Sequence, residues 1–259
     1  MLYLNDREIK FGKYPNLESY LSISDLDIKE FNYIKFVFES NEDLINLAIL
    51  QEYINDMGAK TCLYITYMPY SRMDRKNDVY SFSLKAICHL INSMGFGKVI
   101  VREPHSAATG DYLANFSQDN WIENCFEKIC KFSHTASLFY PDFGALARYD
   151  LQKVGLPVAY GKKTRDFTTG EIRKYEISGF LQGNVLIVDD ICSKGGTFIN
   201  ASKEIRSKFP NVGAINLLVS YCEDNVFNGE LFDYIDRIYT SPERELKNHP
   251  RIIKVREGE

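Results

Sequence analysis

The chain has 259 residues, 45% hydrophobic and 25% charged, with a formal net charge of −4 at pH 7. That length can bury a sizeable core, as one large domain or two small ones, and the composition is that of a soluble globular protein. The mild acidity argues against a dedicated nucleic-acid binder, which usually carries a basic face, and no apolar run is long enough to span a bilayer.

In chain order, "MLYLNDREIKFGKY" meets acidic residues before any apolar segment develops, so no secretory signal is expected and the cytoplasm is the expected location. "YIKFVFES" (33–40) reads as a strand. The helix that follows, "NEDLINLAILQEYINDMG", carries an apolar stripe of Leu44, Ile45, Leu47, Ile49, Leu50, Tyr53 and Ile54 and closes at Gly58. "KTCLYITYM" is a strand, "SFSLKAICHLINSMG" a helix and "KVIVRE" a strand. The polar and aromatic stretch "NFSQDNWIENCFEK" carries a boundary near residue 120, giving expected domains of residues 1–120 and 121–259. The second half repeats the rhythm: strand "ASLFYP", helix "FGALARYDLQKVG" (143–155), strands "PVAYGKK" and "NVLIVDD", helix "GTFINASKEIRSKFP", strands "AINLLVS" and "RIYTS". Alternation of this kind predicts α/β architecture with mainly parallel sheets flanked by helices. Cysteines 62, 88, 125, 130, 192 and 222 lack metal-type spacing and read as reduced, mostly buried thiols.

The chemistry concentrates in "NVLIVDDICSKGGT" (184–197). In parallel α/β sheets, ligands bind beyond the carboxyl ends of strands. Here a strand ends in Asp189 and Asp190, then turns through Gly195 and Gly196 into a helix starting near Thr197. The glycines let backbone amides approach an anion, the helix start adds partial positive charge, and Ser193 and Thr197 add hydroxyls, so the turn suits a phosphate. Adjacent carboxylates suit the 2- and 3-hydroxyls of a ribose, or hold Mg²⁺ through water. The pattern is neither GxxxxGK[ST] nor GxGxxG.

"VLIVDDICSKGGT" resembles the ribose-5-phosphate motif shared by type I phosphoribosyltransferases and phosphoribosyl pyrophosphate (PRPP) synthetases, so the resemblance implies two type I phosphoribosyltransferase-like domains. Its ribose-phosphate-binding residues would be Asp189, Asp190, Cys192, Ser193, Lys194, Gly195, Gly196 and Thr197. Three further stretches are similar to the synthetases, also called ribose-phosphate pyrophosphokinases. "MPYSRMDR" (68–75) resembles their ATP-holding segment, with Arg72 and Arg75 facing phosphates and Asp74 orienting one of them. "VREPHSAATGDYL" places Glu103 and His105 where the family has an acidic residue and a Mg²⁺-contacting histidine. "YGKKTRDFTTGEI" resembles the Lys-x-Arg and mobile loop of archaeal-type members, giving Lys163 and Arg165 the catalytic task of stabilising the transferred diphosphate. "YPNLE" (14–18) resembles a segment that contacts adenine from a neighbouring subunit, through Tyr14, Asn16 and Glu18, which implies at least a dimer. "YPDFGA" places Asp142 near the ribose or the metal.

The resemblance implies a Mg²⁺-dependent diphosphokinase that moves the β,γ-diphosphate of ATP to the anomeric hydroxyl of a ribose 5-phosphate-type sugar and releases AMP. Its partners would be small molecules, with neither nucleic acid nor membrane involved. The departures are a chain shorter than usual for the family, Leu17 for a glycine, Met73 for a glutamine, no histidine near "VSYCEDNVFNG", and Lys194 where threonine is common. A lysine there either points to solvent or tightens monoester binding, or it fits a sugar carrying more than a 5-phosphate, such as ADP-ribose, as in the ADP-ribose pyrophosphate synthetases of phage NAD⁺ salvage, which the chain resembles. A PRPP-using phosphoribosyltransferase and an inactive, regulatory synthetase homologue are the alternatives.

Overall fold

A computed structural model of the chain describes residues 1–149, 151, 155–165 and 172–257, with backbone alone for residues 163–165 and 172–174. The chain divides into two compact units, Met1–Asp119 and Asn120–Glu259.

Unit 1 opens with β1 (Leu2–Leu4) and β2 (Arg7–Ile9), an antiparallel hairpin whose turn residues Asn5 and Asp6 both take positive φ, 49° and 68°. The sequence reading places no strand before residue 33. Its missed signal is Asn-Asp between alternating apolar residues, the chemistry of a two-residue turn whose twist matches the strands. β3 (Phe11–Lys13) and β4 (Ser19–Leu21) form a separate antiparallel ribbon. Next come β5 (Phe31–Phe36), α1 (Asn41–Asp56), β6 (Lys60–Ile65), α2 (Ser83–Ser93), β7 (Lys98–Arg102), α3 (Ala108–Tyr112) and β8 (Phe116–Asp119). The six-stranded sheet has the order β2-β1-β5-β6-β7-β8; β5 to β8 are parallel, and β1 joins β5 antiparallel.

In α1, Leu44, Leu47, Leu50 and Ile54 enter the core with Ile34, Phe36, Leu63 and Ile65 of the strands, and Gly58 takes φ +69° just beyond the helix. Ile45, expected on the same stripe, is exposed. Gln51 takes a buried place instead, its amide donating to Thr61 Oγ1 at 2.9 Å and Asn55 Oδ1 at 2.8 Å. A paired amide is tolerated inside, which frees the opposite face to carry an isoleucine.

Unit 2 contains α4 (Trp121–Ser133), β9 (Thr135–Tyr140), α5 (Phe143–Arg148), β10 (Val158–Arg165), β11 (Ile172–Gly179), β12 (Asn184–Cys192), α6 (Gly196–Lys208), β13 (Ile215–Cys222), α7 (Leu231–Tyr234), β14 (Arg237–Thr240) and β15 (Ile252–Lys254). Its seven-stranded sheet runs β11-β10-β9-β12-β13-β14-β15, and β11 alone in it is antiparallel to its neighbour. All eight residues of β13 are buried, as a strand covered on both faces requires. Along β12, Val185 and Ile187 join the core under α6, while Leu186 and Val188 join the one under α4.

The stretch in which a boundary near residue 120 is expected holds the division between Asp119 and Asn120; it forms β8 and α4, and α4 buries Trp121, Ile122, Cys125, Phe126 and Ile129 at helical spacing. The helix expected over 143–155 stops at Arg148: Tyr149 is extended (φ −115°, ψ 112°) and sinks its ring into the core. All six cysteines are free thiols, five of them buried. Among the described residues, no helix is long and apolar enough to cross a membrane.

Leu17, in the β3–β4 loop, sits at φ +71° with its side chain 75% exposed. Left-handed backbone costs a residue with Cβ about 1–2 kcal/mol, part of which the added unfolded-state entropy of a glycine cancels. Leu17→Gly is therefore expected to stabilise unit 1 by about 0.5–1 kcal/mol, read as a higher thermal midpoint. A lower midpoint would show that the leucine side chain makes contacts worth more than the strain.

Candidate functional site

β12 lies between β9 and β13, so its end opens beyond the middle of the unit 2 sheet. There the chain passes from Asp189 and Asp190 through Ile191 and Cys192 into the turn Ser193–Thr197. Gly195 is required twice over: its φ is +79°, and a Cβ on it would lie 2.6 Å from Leu231 Cδ1. Its carbonyl accepts from Phe198 and Ile199, both at 2.9 Å, and so starts α6. The first amides of such a helix have no intrahelical acceptor and face outward with its positive dipole end, an anion-binding arrangement. A Cβ at Gly196 would meet nothing within 4 Å, so the approach is open. Thr197 is half-buried and Lys194 exposed.

The carboxylates are not two equivalent open groups. Arg148, which the sequence reading assigned only to a helix, donates from Nη1 to Asp190 Oδ1 at 2.7 Å and to Asp189 Oδ1 at 3.2 Å. The Asp190 side chain is 4% exposed and that of Asp189 17%. Asp189 Oδ1 also accepts from the Asp190 amide at 3.0 Å. Burial raises the Asp189 pKa well above the usual carboxylate range, with the charges of Asp190 and Asp142 adding to it and Arg148 offsetting only part. For Arg148, burial acts against its charge, but Asp190, Tyr149 and Asp189 outweigh it and raise its pKa.

Around this triad stand Asp142, expected near the ribose or the metal, and three residues that the sequence reading does not single out, Tyr175, Glu223 and Asn225. Asp142 caps α5, accepting from the Ala145 amide at 3.0 Å. The Tyr175 hydroxyl crosses Gly161 to donate to the Pro141 carbonyl at 3.0 Å, beside Asp142. Ser193 Oγ donates to the Glu223 carboxylate, which also takes the Asn225 amide at 3.0 Å. Cys192 is buried against Cys222, its thiol donates to the Ser193 carbonyl at 4.0 Å, and its own carbonyl accepts from the Glu223 amide at 2.8 Å. Glu223 and Asn225 are distant in sequence from the turn and carry no local signature; only the register Cys192↔Cys222 brings them there.

Unit 1 gathers its own cluster. Arg75 forks onto Asp74, Nε to Oδ1 at 2.9 Å and Nη2 to Oδ2 at 3.3 Å. Burial pushes the Asp74 pKa up, but Arg75, Ser106 and His105 together hold it below the usual range. Segments 72–75 and 103–106 therefore meet, with Arg72 exposed. Glu103 is buried at φ +41°. Arg75 is 80% exposed, so its pair with Asp74 is easily exchanged for a phosphate. Tyr14, Asn16 and Glu18 form the tip of the β3–β4 ribbon: the Tyr14 amide donates to the Glu18 carbonyl at 2.9 Å and the Glu18 amide to Asn16 Oδ1 at 3.2 Å. The backbones of Lys163 and Arg165 lie on β10 opposite Tyr175 and Ile172, and their side chains fall outside the described residues.

No protein-family model matches the chain. It is 32% identical over 221 residues to the ribose-phosphate pyrophosphokinase of Saccharolobus solfataricus, across 80% of this chain and 75% of that one. The chain belongs to the ribose-phosphate pyrophosphokinase family. It is also 32% identical over 213 residues to the pyrophosphokinase of Sulfolobus acidocaldarius (78% of this chain, 72% of the other) and 26% identical over 229 residues to that of Campylobacter jejuni (83% and 72%). The fold is that of phosphoribosylpyrophosphate synthetase from Mycobacterium smegmatis, with a TM-score of 0.78 at 15% identity, covering 96% of this chain and 85% of that one.

The residues fit Mg²⁺ of the kind this family implies. Among the described residues, no group of three or more His, Cys, Asp or Glu side chains could hold an ion by itself. Mg²⁺ usually binds through one or two carboxylates, waters and substrate phosphates, so it would arrive with a polyphosphate. The donors suit that: the carboxylates of Asp142 and Asp190 lie near enough to Asp189 to act on its charge, and Arg148 bridges Asp189 and Asp190.

A raised Asp189 pKa means that the folded state holds a proton which the unfolded state releases. Stability of the unliganded protein therefore falls as pH rises from about 4 through the folded-state pKa. Asp189→Asn is expected to raise the thermal midpoint at pH 8 and to match the parent near pH 4. A lower midpoint at pH 8 would mean that the attraction of Arg148 exceeds burial and repulsion together. Arg148→Gln removes the cation shared by both carboxylates and is expected to lower stability by about 3–5 kcal/mol, read as a lower thermal midpoint.

Proposed function

We propose that this chain transfers the β,γ-diphosphate of ATP to the anomeric hydroxyl of ribose 5-phosphate, forming PRPP and releasing AMP. The observation that carries the proposal is the end of β12. A partly open carboxylate, Asp189, stands beside a buried one clamped by Arg148, directly before a turn whose amides open toward an anion.

In this reading Asp189 takes the ribose hydroxyls. Asp190 anchors Arg148, and Arg148 fixes the pair. The Ser193–Thr197 turn takes the 5-phosphate, with Cys192 leading the chain into it. Arg72, Arg75 and Asp74 hold ATP phosphates, and His105 stands beside them. Asp142, by capping α5, keeps Arg148 in place. Lys163 and Arg165 neutralise the diphosphate in flight, a role that rests on resemblance. Phosphoryl-group transfer needs little covalent help; Mg²⁺ supplies charge neutralisation on the polyphosphate, and the chain supplies in-line positioning. The exposed ribbon tip, with Tyr14 at 55% and Leu17 at 75%, supports adenine contact with a neighbouring copy and hence a homo-oligomer in the cytoplasm.

Lys194 favours a second acceptor. It lies exposed at the mouth of the turn and adds a full charge where backbone amides and hydroxyls already suit one monoester. A sugar with a diphosphate at its 5-position, ADP-ribose, would use that charge.

The deciding experiment is AMP release from MgATP with ribose 5-phosphate and ADP-ribose in parallel. Ribose 5-phosphate is expected to release AMP; AMP from neither sugar would overturn the proposal in favour of a PRPP-using transferase or an inactive homologue. Lys163→Ala is expected to lower kcat by at least about 100-fold with little change in ATP affinity, and unchanged turnover would remove its role. Lys194→Thr is expected to weaken ADP-ribose at least about tenfold more than ribose 5-phosphate, whereas equal losses would remove the second acceptor.

A further inference from the structure

The turn after β12 has a neighbour that phosphate binding alone does not explain. Glu223 follows directly on β13, and its amide donates to the Cys192 carbonyl at 2.8 Å, so the backbone holds it beside Ser193. Its carboxylate oxygen Oε2 accepts from Ser193 Oγ at 2.5 Å and from Asn225 Nδ2 at 3.0 Å. Asn225 Nδ2 also reaches Ser193 Oγ, at 3.5 Å, so the three side chains close a triangle. Asn225 is set in turn by a 3-10 helix over Asp224–Phe227, where the Val226 amide donates to the Glu223 carbonyl at 3.2 Å.

This triangle changes what the turn offers an anion. Ser193 was expected to give its hydroxyl to a phosphate, but a serine has one hydroxyl proton and this one is directed to Glu223. The backbone amides, Thr197 and Lys194 remain for the anion. The carboxylate also stands close to it. Ser193 Oγ is 2.5 Å from Glu223, and a hydrogen-bonded phosphate oxygen lies about 3 Å from its donor, which puts the two charges about 6 Å apart. The side-chain partners of Glu223, Ser193 and Asn225, are both neutral, and the Arg244 guanidinium goes to Asp224 at 3.7 Å and to the Tyr221 hydroxyl at 2.5 Å. Repulsion from Glu223 grows in proportion to the charge on the phosphate, and a doubly charged phosphate also gives up more hydration on entering.

We propose that Glu223 is a specificity-determining residue that makes the turn discriminate between phosphates by charge. It shifts the preference of the turn from a free 5-monoester, which carries about −1.5 to −2 at pH 7, toward a 5-phosphate esterified at a second oxygen, which carries a single charge. This role rests on the proposed function, in which a ribose 5-phosphate-type sugar lies in the turn, and it names the acceptor class as sugars whose 5-phosphate continues into a further group. The turn has room for such a group, since a Cβ at Gly196 would meet nothing within 4 Å. Specificity of this kind works by opposing the competitor, here the second charge of the monoester.

The test is calorimetric titration of the full chain at about pH 8, where the monoester is doubly charged, with ribose 5-phosphate and with ribose 5-(methyl phosphate), the same sugar with one charge fewer. Mg²⁺ and α,β-methylene-ATP, which cannot pass its diphosphate on, are present throughout. Glu223→Gln keeps an acceptor for Ser193 and removes the charge. A unit charge about 6 Å from another in water-like surroundings changes affinity about threefold, so this variant is expected to tighten the methyl ester about threefold and the monoester about tenfold. Glu223→Ala, which gives up the hydrogen bond as well, is expected to shift the ratio of the two affinities the same way by at least about twofold. Equal changes for the two esters in Glu223→Gln would overturn the proposal. So would a shift confined to Glu223→Ala, because the carboxylate would then act through its hydrogen bond alone. Failure of the parent to bind either ester overturns it together with the sugar reading of the turn. Charge-dependent binding without AMP release from MgATP would support the role of Glu223 and overturn only the diphosphate transfer.

Discussion

The unit 2 site depends on one guanidinium between two adjacent carboxylates. Asp189 and Asp190 lie within a run of mostly buried strand residues that continues to Cys192, where unpaired charge is costly. Arg148 makes the arrangement possible, and its position is fixed from both sides. Asp142 caps the helix that carries it, and Tyr149 leaves helical geometry immediately afterwards to anchor in the core. Tyr175 braces Pro141 from β11, so the ends of β9 and β12 are locked through a short helix of six residues. The early end of α5 follows from this: another turn of helix would keep Tyr149 out of the core in which it is buried.

The anion turn carries a second constraint. Ser193 donates to Glu223, and Asn225 holds Glu223 from the other side. A carboxylate so near a phosphate position would repel it in the absence of a compensating charge. Lys194 provides one, and its ammonium, being exposed, can swing toward the anion or toward solvent.

What was legible in the sequence were patterns of short range. The β12 strand, its glycine turn and α6 follow from an apolar run, two carboxylates and Gly195–Gly196. The helix stripe of α1 was readable except at Ile45, because periodicity alone cannot tell that a paired Gln51 would take a core place. The β1–β2 hairpin had a local signal in Asn5-Asp6, and α4 had its stripe at 121, 122, 125, 126 and 129, masked by the acidic and amide residues between them. Arg148, Glu223, Asn225 and Tyr175 were not legible. Each acts through a partner about 30 to 40 residues away, and such pairings follow from strand order and register, which composition does not specify.

Charge then runs in a defined direction along the site. Asp142, Asp189 and Asp190 place negative charge at the β12 end, offset in part by Arg148, while Lys194 and the start of α6 place positive charge beyond the turn. A ligand with hydroxyls at one end and a phosphate at the other can lie there in one orientation only, because the reverse would set phosphate against carboxylates and hydroxyls against unsatisfied amides. That polarity would direct the anomeric carbon of the proposed sugar away from the turn. In that reading the acceptor's orientation is set by the order of residues in β12, its turn and α6, together with Asp142 and Arg148 of the neighbouring short helix.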